Sequence, residues 1–124
     1  MAERLDPSWF VPQVGQGALA LEVRRDDRVT TEIVGLINDA GAAVALAAER
    51  AFLGELGTGC SIPAGAFASV EHGRITLRAV MVAIDGSASV RAVTQGDEPI
   101  SLGHEMARRL RDDDGGGALP GWHG

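Results

Sequence analysis

The sequence predicts an α+β fold: a three-stranded antiparallel sheet with helices packed on one face, in the order β-α-α-β-β-β-α. Three observations carry this expectation. Residues 74–83 alternate, placing Ile75, Leu77, Ala79 and Met81 on one side of a strand. Asp85-Gly86 is a two-residue hairpin signal between that run and a returning run at 87–94. Residues 42–56 (AAVALAAERAFLGEL) are strong helix formers and apolar almost all round. In a chain of 124 residues these faces can be buried only against one another, in one modest domain.

The elements follow in order. Residues 1–13 (MAERLDPSWFVPQ) have two prolines and no period, and read as an irregular lead-in. Residues 14–28 form a separate segment: Val14-Gly15-Gln16-Gly17-Ala18 turns into a strand in which Leu19, Leu21 and Val23 alternate. That strand has no evident partner within the chain. Thr30 or Thr31 can cap a helix carrying Ile33, Leu36 and Ile37 as one apolar stripe. Asn38-Asp39-Ala40-Gly41 interrupts it, and Asp39 can cap the long helix that follows. Gly57-Thr58-Gly59-Cys60-Ser61-Ile62-Pro63 is a loop. Residues 66–71, 74–83 and 87–94 then read as an antiparallel meander whose second face, with Thr76 and Arg78, is partly solvated. Ser101 can cap a last helix with Leu102, Met106 and Leu110 at four-residue spacing. The compact unit is therefore placed at 29–111. The stretch 112–124 (DDDGGGALPGWHG) is acidic and glycine-rich and reads as a flexible tail.

Composition excludes whole classes of function. Net charge is −6, which argues against nucleic acid or an anionic membrane surface as partner. All eleven basic residues are arginines, so lysine Schiff-base chemistry and a P-loop lysine are absent. A single cysteine, Cys60, rules out an internal disulfide and a cysteine-based zinc site. No metal site is expected, because nothing rigid spaces the carboxylates of Asp112-Asp113-Asp114. No secretory signal and no apolar run of roughly 18 residues is found, so a cytoplasmic setting is expected.

Three features remain as candidates for chemistry. A lone cysteine is most often a small buried hydrophobe. Cys60 instead sits between glycines in a loop, where a thiolate can be displayed as an attachment point for an electrophile. Gly15-Gln16-Gly17-Ala18 precedes a strand, so it is a tight turn and not a dinucleotide fingerprint. Glu49-Arg50 interrupts an apolar helix and reads as a local ion pair or as contacts to neighbouring loops.

These features resemble one family in order and spacing. Val14-Gly15-Gln16-Gly17-Ala18-Leu19 with Glu22 and Arg24 resembles the P-x-V-G-Q-G-A-L-x-x-E-x-R segment of the porphobilinogen deaminases, also called hydroxymethylbilane synthases. Ala48-Glu49-Arg50-Ala51-Phe52-Leu53 resembles their A-E-R-A-F-L helix. Leu56-Gly57-Thr58-Gly59-Cys60-Ser61-Ile62-Pro63-Ala64-Gly65 resembles their L-E-G-G-C-x-V-P-I-G loop, with Gly57 and Thr58 standing where the family has glutamate and glycine. Asp85-Gly86-Ser87 resembles their D-G-S hairpin.

The resemblance implies a transferase that joins four porphobilinogen units into hydroxymethylbilane with release of ammonia, in tetrapyrrole and heme biosynthesis. It implies a covalent dipyrromethane cofactor on Cys60 through a thioether, with Gly59, Ser61, Gln16 and Gly17 as cofactor-binding neighbours. It assigns Glu49-Arg50 to packing beneath the cofactor loop. It also implies that 14–28 ends a preceding domain and that 29–111 is a C-terminal cofactor-binding domain. No catalytic residue falls in this chain: the family's catalytic aspartate and anion-binding arginines lie in preceding domains. The expected partners are the growing tetrapyrrole chain and those missing N-terminal domains, and the chain alone is expected to be inactive. An unpaired strand and an uncovered apolar face also admit a homodimer. Two other readings stand beside this one: a stand-alone binding or regulatory module that keeps the fold without catalysis, and a structural domain with Cys60 buried and inert.

Overall fold

Alternation in the middle of the chain builds the sheet. The computed structural model describes residues 2–57 and 63–122. It contains three strands, β1 (Ala64–Glu71), β2 (Arg74–Val82) and β3 (Ser89–Gly96), joined as an antiparallel meander in the order β1-β2-β3. Helices α1 (Arg28–Gly35) and α2 (Ala40–Leu56) precede the sheet and α3 (Pro99–Arg108) follows it. The order is α-α-β-β-β-α, so the α+β class and the central sheet are as the sequence predicts.

The core lies between one sheet face and two helices. Ile75, Leu77, Ala79 and Met81, the alternating set of β2, are all essentially inaccessible. They meet Ala48 and Phe52 of α2 and Leu102 and Met106 of α3. Asp39 caps α2 as expected, accepting from the Ala42 N–H at 2.8 Å. The apolar surroundings of α2 are less complete than its composition suggests, because its full burial is confined to Ala48, Glu49, Ala51 and Phe52.

The β1–β2 connection is the tight one. His72 and Gly73 both have positive φ, +50° and +78°, between the paired residues Glu71 and Arg74, the pattern of a two-residue primed turn. The β2–β3 connection differs from the two-residue expectation. Of its residues only Gly86 has positive φ, and the Ala83 N–H donates to the Ala88 carbonyl across a four-residue loop, 84–87.

Four further expectations are corrected. Residues 18–24 form no strand: Leu19 and Leu21 are 98% and 60% exposed, and no described segment pairs with them. A strand needs a neighbour for its backbone groups, and this one has none. Helix α1 fully buries none of its residues; Ile33, Leu36 and Ile37 are exposed, so only α2 and α3 cover the sheet. Its cap is Asp27, not a threonine, since Asp27 accepts from both the N–H and the hydroxyl of Thr30. Helix α3 begins at Pro99 rather than after Ser101, because proline suits a first helical turn whose N–H groups are unpaired anyway.

The predicted tail is docked through residue 122. A π-helical turn (Arg109–Asp113) and a 3₁₀ turn (Gly116–Ala118) extend α3, and Leu119 is buried against the core. The Ile84 N–H donates to the Pro120 carbonyl at 3.0 Å. The Trp122 indole N–H donates to the Val82 carbonyl at 2.9 Å.

The irregular lead-in has a place as well. Arg91 of β3 donates to the Trp9 carbonyl, and the carbonyls of Val11 and Pro12 lie close over Gly65 of β1. Residues 9–12 thus cross the sheet face that the helices leave open.

Candidate functional site

Glu49 lies in the wall of a cleft between the lead-in, α2 and β1. The helix α2 turns this residue inward, where it is 8% exposed. A buried carboxylate needs hydrogen-bond donors. Glu49 has two: Oε2 accepts from the Gly15 N–H at 2.9 Å, and Oε1 from the Ala68 N–H at 2.8 Å. The first donor lies in the turn before α1, the second on the free edge of β1. Arg50, its sequence neighbour, is exposed and makes no ion pair with it among the described residues. The local ion-pair reading is therefore replaced by contacts to neighbouring segments.

The turn that Glu49 holds contains two of the expected site residues. Gln16 donates to the Gln13 carbonyl at 3.2 Å and Ala18 to the Gly15 carbonyl at 3.0 Å, so residues 13–18 curl tightly. Gln16 and Gly17 are both exposed. Both line a cleft of about 760 Å³ between the lead-in, α2 and β1, whose wall includes Phe10, Gln13, Glu49 and Phe67. Its volume is in the range of small-molecule sites. In the lead-in, the Ser8 N–H donates to the Asp6 carboxylate and helps hold its pKa below the ordinary 3.8.

The other three expected site residues, Gly59, Cys60 and Ser61, lie outside the described residues. Their flanks are defined. Gly57 ends α2 with φ +107°, and the Pro63 carbonyl accepts from the Val82 N–H at 2.8 Å. Residues 58–62 connect the C-terminal end of α2 to the start of β1. Arg111 caps that end of α2, donating to the Glu55 carbonyl at 3.2 Å, which complements the negative pole of the helix. Its bonds to Asp112 lower the Asp112 carboxyl and raise the Arg111 guanidinium. Among the described residues no group of three or more His, Cys, Asp or Glu is arranged to hold a metal ion, and no single helix is long and apolar enough to cross a membrane.

The family described as porphobilinogen deaminase, C-terminal domain, matches residues 43–112. The chain belongs to the porphobilinogen deaminase family. Curated porphobilinogen deaminases agree with it along almost its whole length. That of Roseiflexus sp. (strain RS-1) is 37% identical over 98% of this chain and 40% of its own length. That of Deinococcus radiodurans is 43% identical over 85% of this chain and 35% of its own. That of Oceanobacillus iheyensis is 41% identical over 89% and 36%. The chain thus spans well under half the length of the porphobilinogen deaminases it matches. The domain match runs from α2 through the π-helical turn and includes Glu49 and the loop 58–62.

Glu49 follows the second of its two expectations, contacts to neighbouring segments. Its signal was visible: an acidic residue on the inward face of a helix whose other inward positions, Ala48, Ala51 and Phe52, are apolar.

Proposed function

We propose that this chain is the cofactor-carrying part of a hydroxymethylbilane synthase, the transferase of tetrapyrrole and heme biosynthesis that joins porphobilinogen units head to tail. In this reading 29–111 is the cofactor-binding domain and 14–28 is the end of the domain before it. The observation that carries the reading is the position of Cys60. It is the chain's only thiol, and it falls in the loop between α2 and β1 inside the matched family domain.

The donor chemistry fits a dipyrromethane held by a thioether. The thiolate is the strongest common side-chain nucleophile, and the deaminated pyrrole it would capture is a soft electrophile. When bound, the dipyrromethane supplies the pyrrole terminus to which further units are joined. Cys60 would hold it covalently. Gly59 and Ser61 would leave room beside the sulfur, and Gln16 and Gly17 would line the path of the pyrroles at the cleft mouth.

The acid–base and anion-binding residues of the reaction belong to the preceding domains in this reading. The substrate carries acetate and propionate groups, so its site needs clustered positive charge, whereas this chain has a net charge of −6. The chain alone is then inactive. Its partners are those preceding domains and the growing tetrapyrrole, in the cytoplasm. The exposed apolar residues from Leu19 to Ile37 support a covering surface outside this chain.

Intact-mass analysis with peptide mapping tests the proposal. The chain is produced in cells that make porphobilinogen, with the preceding residues of a relative supplied as a second polypeptide. A fixed mass increment on the peptide containing Cys60, abolished by Cys60→Ser, is expected. An unmodified Cys60 under those conditions refutes the attachment site. Turnover of porphobilinogen by the chain alone refutes the placement of the catalytic groups elsewhere.

A further inference from the structure

Glu49 spends a buried charge on joining two segments that are far apart in sequence. Its bonds to Gly15 and Ala68 span 34 and 19 residues. Ala68 offers its N–H from the outer edge of β1, and Gly15 lies in a turn that no strand or helix contains. The turn's internal bonds, 3.2 and 3.0 Å, are longer than its bond to Glu49 at 2.9 Å. Gly15 also holds φ at +69°, with the Leu46 side chain of α2 close beside it. The carboxylate thus ties the turn carrying Gln16 and Gly17 to the body of the domain by a hydrogen bond, beside the packing of Val14 against the core.

We infer that Glu49 is a positioning residue. Its carboxylate fixes the 13–18 turn against the edge of β1 and so sets the wall of the cleft along which pyrrole rings would lie. The functional half of this inference rests on the cofactor reading above. The chemistry of the side chain explains why a glutamate is needed. Two oxygens accept from two N–H groups at once. A glutamine offers one acceptor and turns an amino group toward the second donor, leaving a buried N–H unpaired.

Residue-resolved amide exchange on the 124-residue chain tests the clamp without any ligand. In the wild-type chain the Gly15 amide exchanges at least about tenfold more slowly than the exposed Gly17 amide, the protection of a charge-assisted bond. Equal exchange of the two amides overturns the clamp, and this readout needs no variant. In Glu49→Gln, exchange at Gly15, Gln16 and Ala18 rises about tenfold while the β2 amides stay protected. A uniform rise across the domain means that Glu49 only stabilises the fold, and overturns the positioning role.

The second arm supplies the preceding residues of a relative as a second polypeptide, adds porphobilinogen, and follows the amide resonances of Gln16 and Gly17. Shifts in the wild-type chain that weaken severalfold in Glu49→Gln support the inference, and equal shifts in both chains overturn it. An absence of shifts in the wild-type chain sinks the pyrrole reading of the cleft, while the exchange data still decide the clamp.

Discussion

Helices α2 and α3 cross at Gly103, and replacing that glycine by alanine is the sharpest test of the packing that supports the cleft. A Cβ at position 103 would stand 2.4 Å from the Ala48 carbonyl oxygen, 2.6 Å from the Ala51 Cβ and 2.7 Å from the Phe52 N. Two of those three atoms are backbone, so no side chain can swing away. The helices must move apart along the stretch that positions Glu49. Overpacking of this kind costs about 3 kcal/mol at the severe end. Alanine returns about 1 kcal/mol through its better helix propensity. The net loss is about 2 kcal/mol, a fall in Tm of roughly 8 °C for a domain of this size. Gly54 on α2 is the matched control. It is a helical glycine with nothing within 4 Å of its Cβ position, so Gly54→Ala keeps the propensity gain without the clash. Urea unfolding followed by circular dichroism should give opposite signs for the two variants. A Gly103→Ala variant as stable as wild type would refute the close crossing, and with it the account of how α2 is seated.

Other outcomes follow from single contacts. Leu119→Ala empties a buried site beside Leu110 and Met81 and should cost about 2 kcal/mol in denaturant unfolding; an unchanged midpoint would mean that the 113–122 stretch does not dock. Asp39→Ala removes the side-chain cap of α2 and should cost about 1 kcal/mol, with Asp39→Asn close to neutral because it keeps an acceptor oxygen. For pH, Asp27 is held below 3.8 by the Thr30 hydroxyl and N–H, and Asp85 by the Ser87 hydroxyl and N–H. A carboxyl lowered in the folded state stabilises it above the unfolded value and ceases to do so as pH falls through the folded one. The urea midpoint should therefore stay flat from about pH 7 to about pH 5 and drop below about 3.8. A midpoint that rises on acidification would contradict both assignments.

The sheet and the long helix were legible because each rests on a local rule that nothing distant overrides. Alternation over 74–83 places Ile75, Leu77, Ala79 and Met81 inward, and all four are buried. Asp39 caps α2 because only the three residues after it are involved. The hairpins show where a local rule misleads. Asp85-Gly86 carries the stronger two-residue signal, yet it sits in a four-residue loop held by Ser87, which donates its hydroxyl to Asp85 at 2.6 Å. The two-residue turn is at His72-Gly73, where a histidine accepts positive φ. The acidic, glycine-rich end was misread because composition averages over position. Leu119 and Trp122 are two residues among glycines, and they suffice to dock the segment.

The site was legible in a different way. Gln16 and Gly17 are expected from a family resemblance, and both line the cleft; Glu49, which holds Gly15 beside them, reads in the sequence either as half of an ion pair or as contacts to neighbouring loops, and its bonds are of the second kind. A spacing rule within a helix cannot reveal a carboxylate whose partners are 34 residues earlier and 19 residues later. What could reveal it is the cost of burying charge: an acidic residue on the inward face of a helix must find donors, and backbone N–H groups at a sheet edge or in a turn are the common unclaimed ones. The same reasoning applies to Leu19, Leu21, Ile33, Leu36 and Ile37. Their periodicities are those of buried faces, yet all five are exposed. Hydrophobic periodicity states that a face is made to be covered, and leaves open what covers it. All five precede residue 43, where the match to the C-terminal-domain family begins. A face patterned for burial and left exposed before the match is therefore where an added surface would bury most, and a variant such as Leu36→Ser should leave the urea midpoint of the chain unchanged, since nothing in the chain covers that residue.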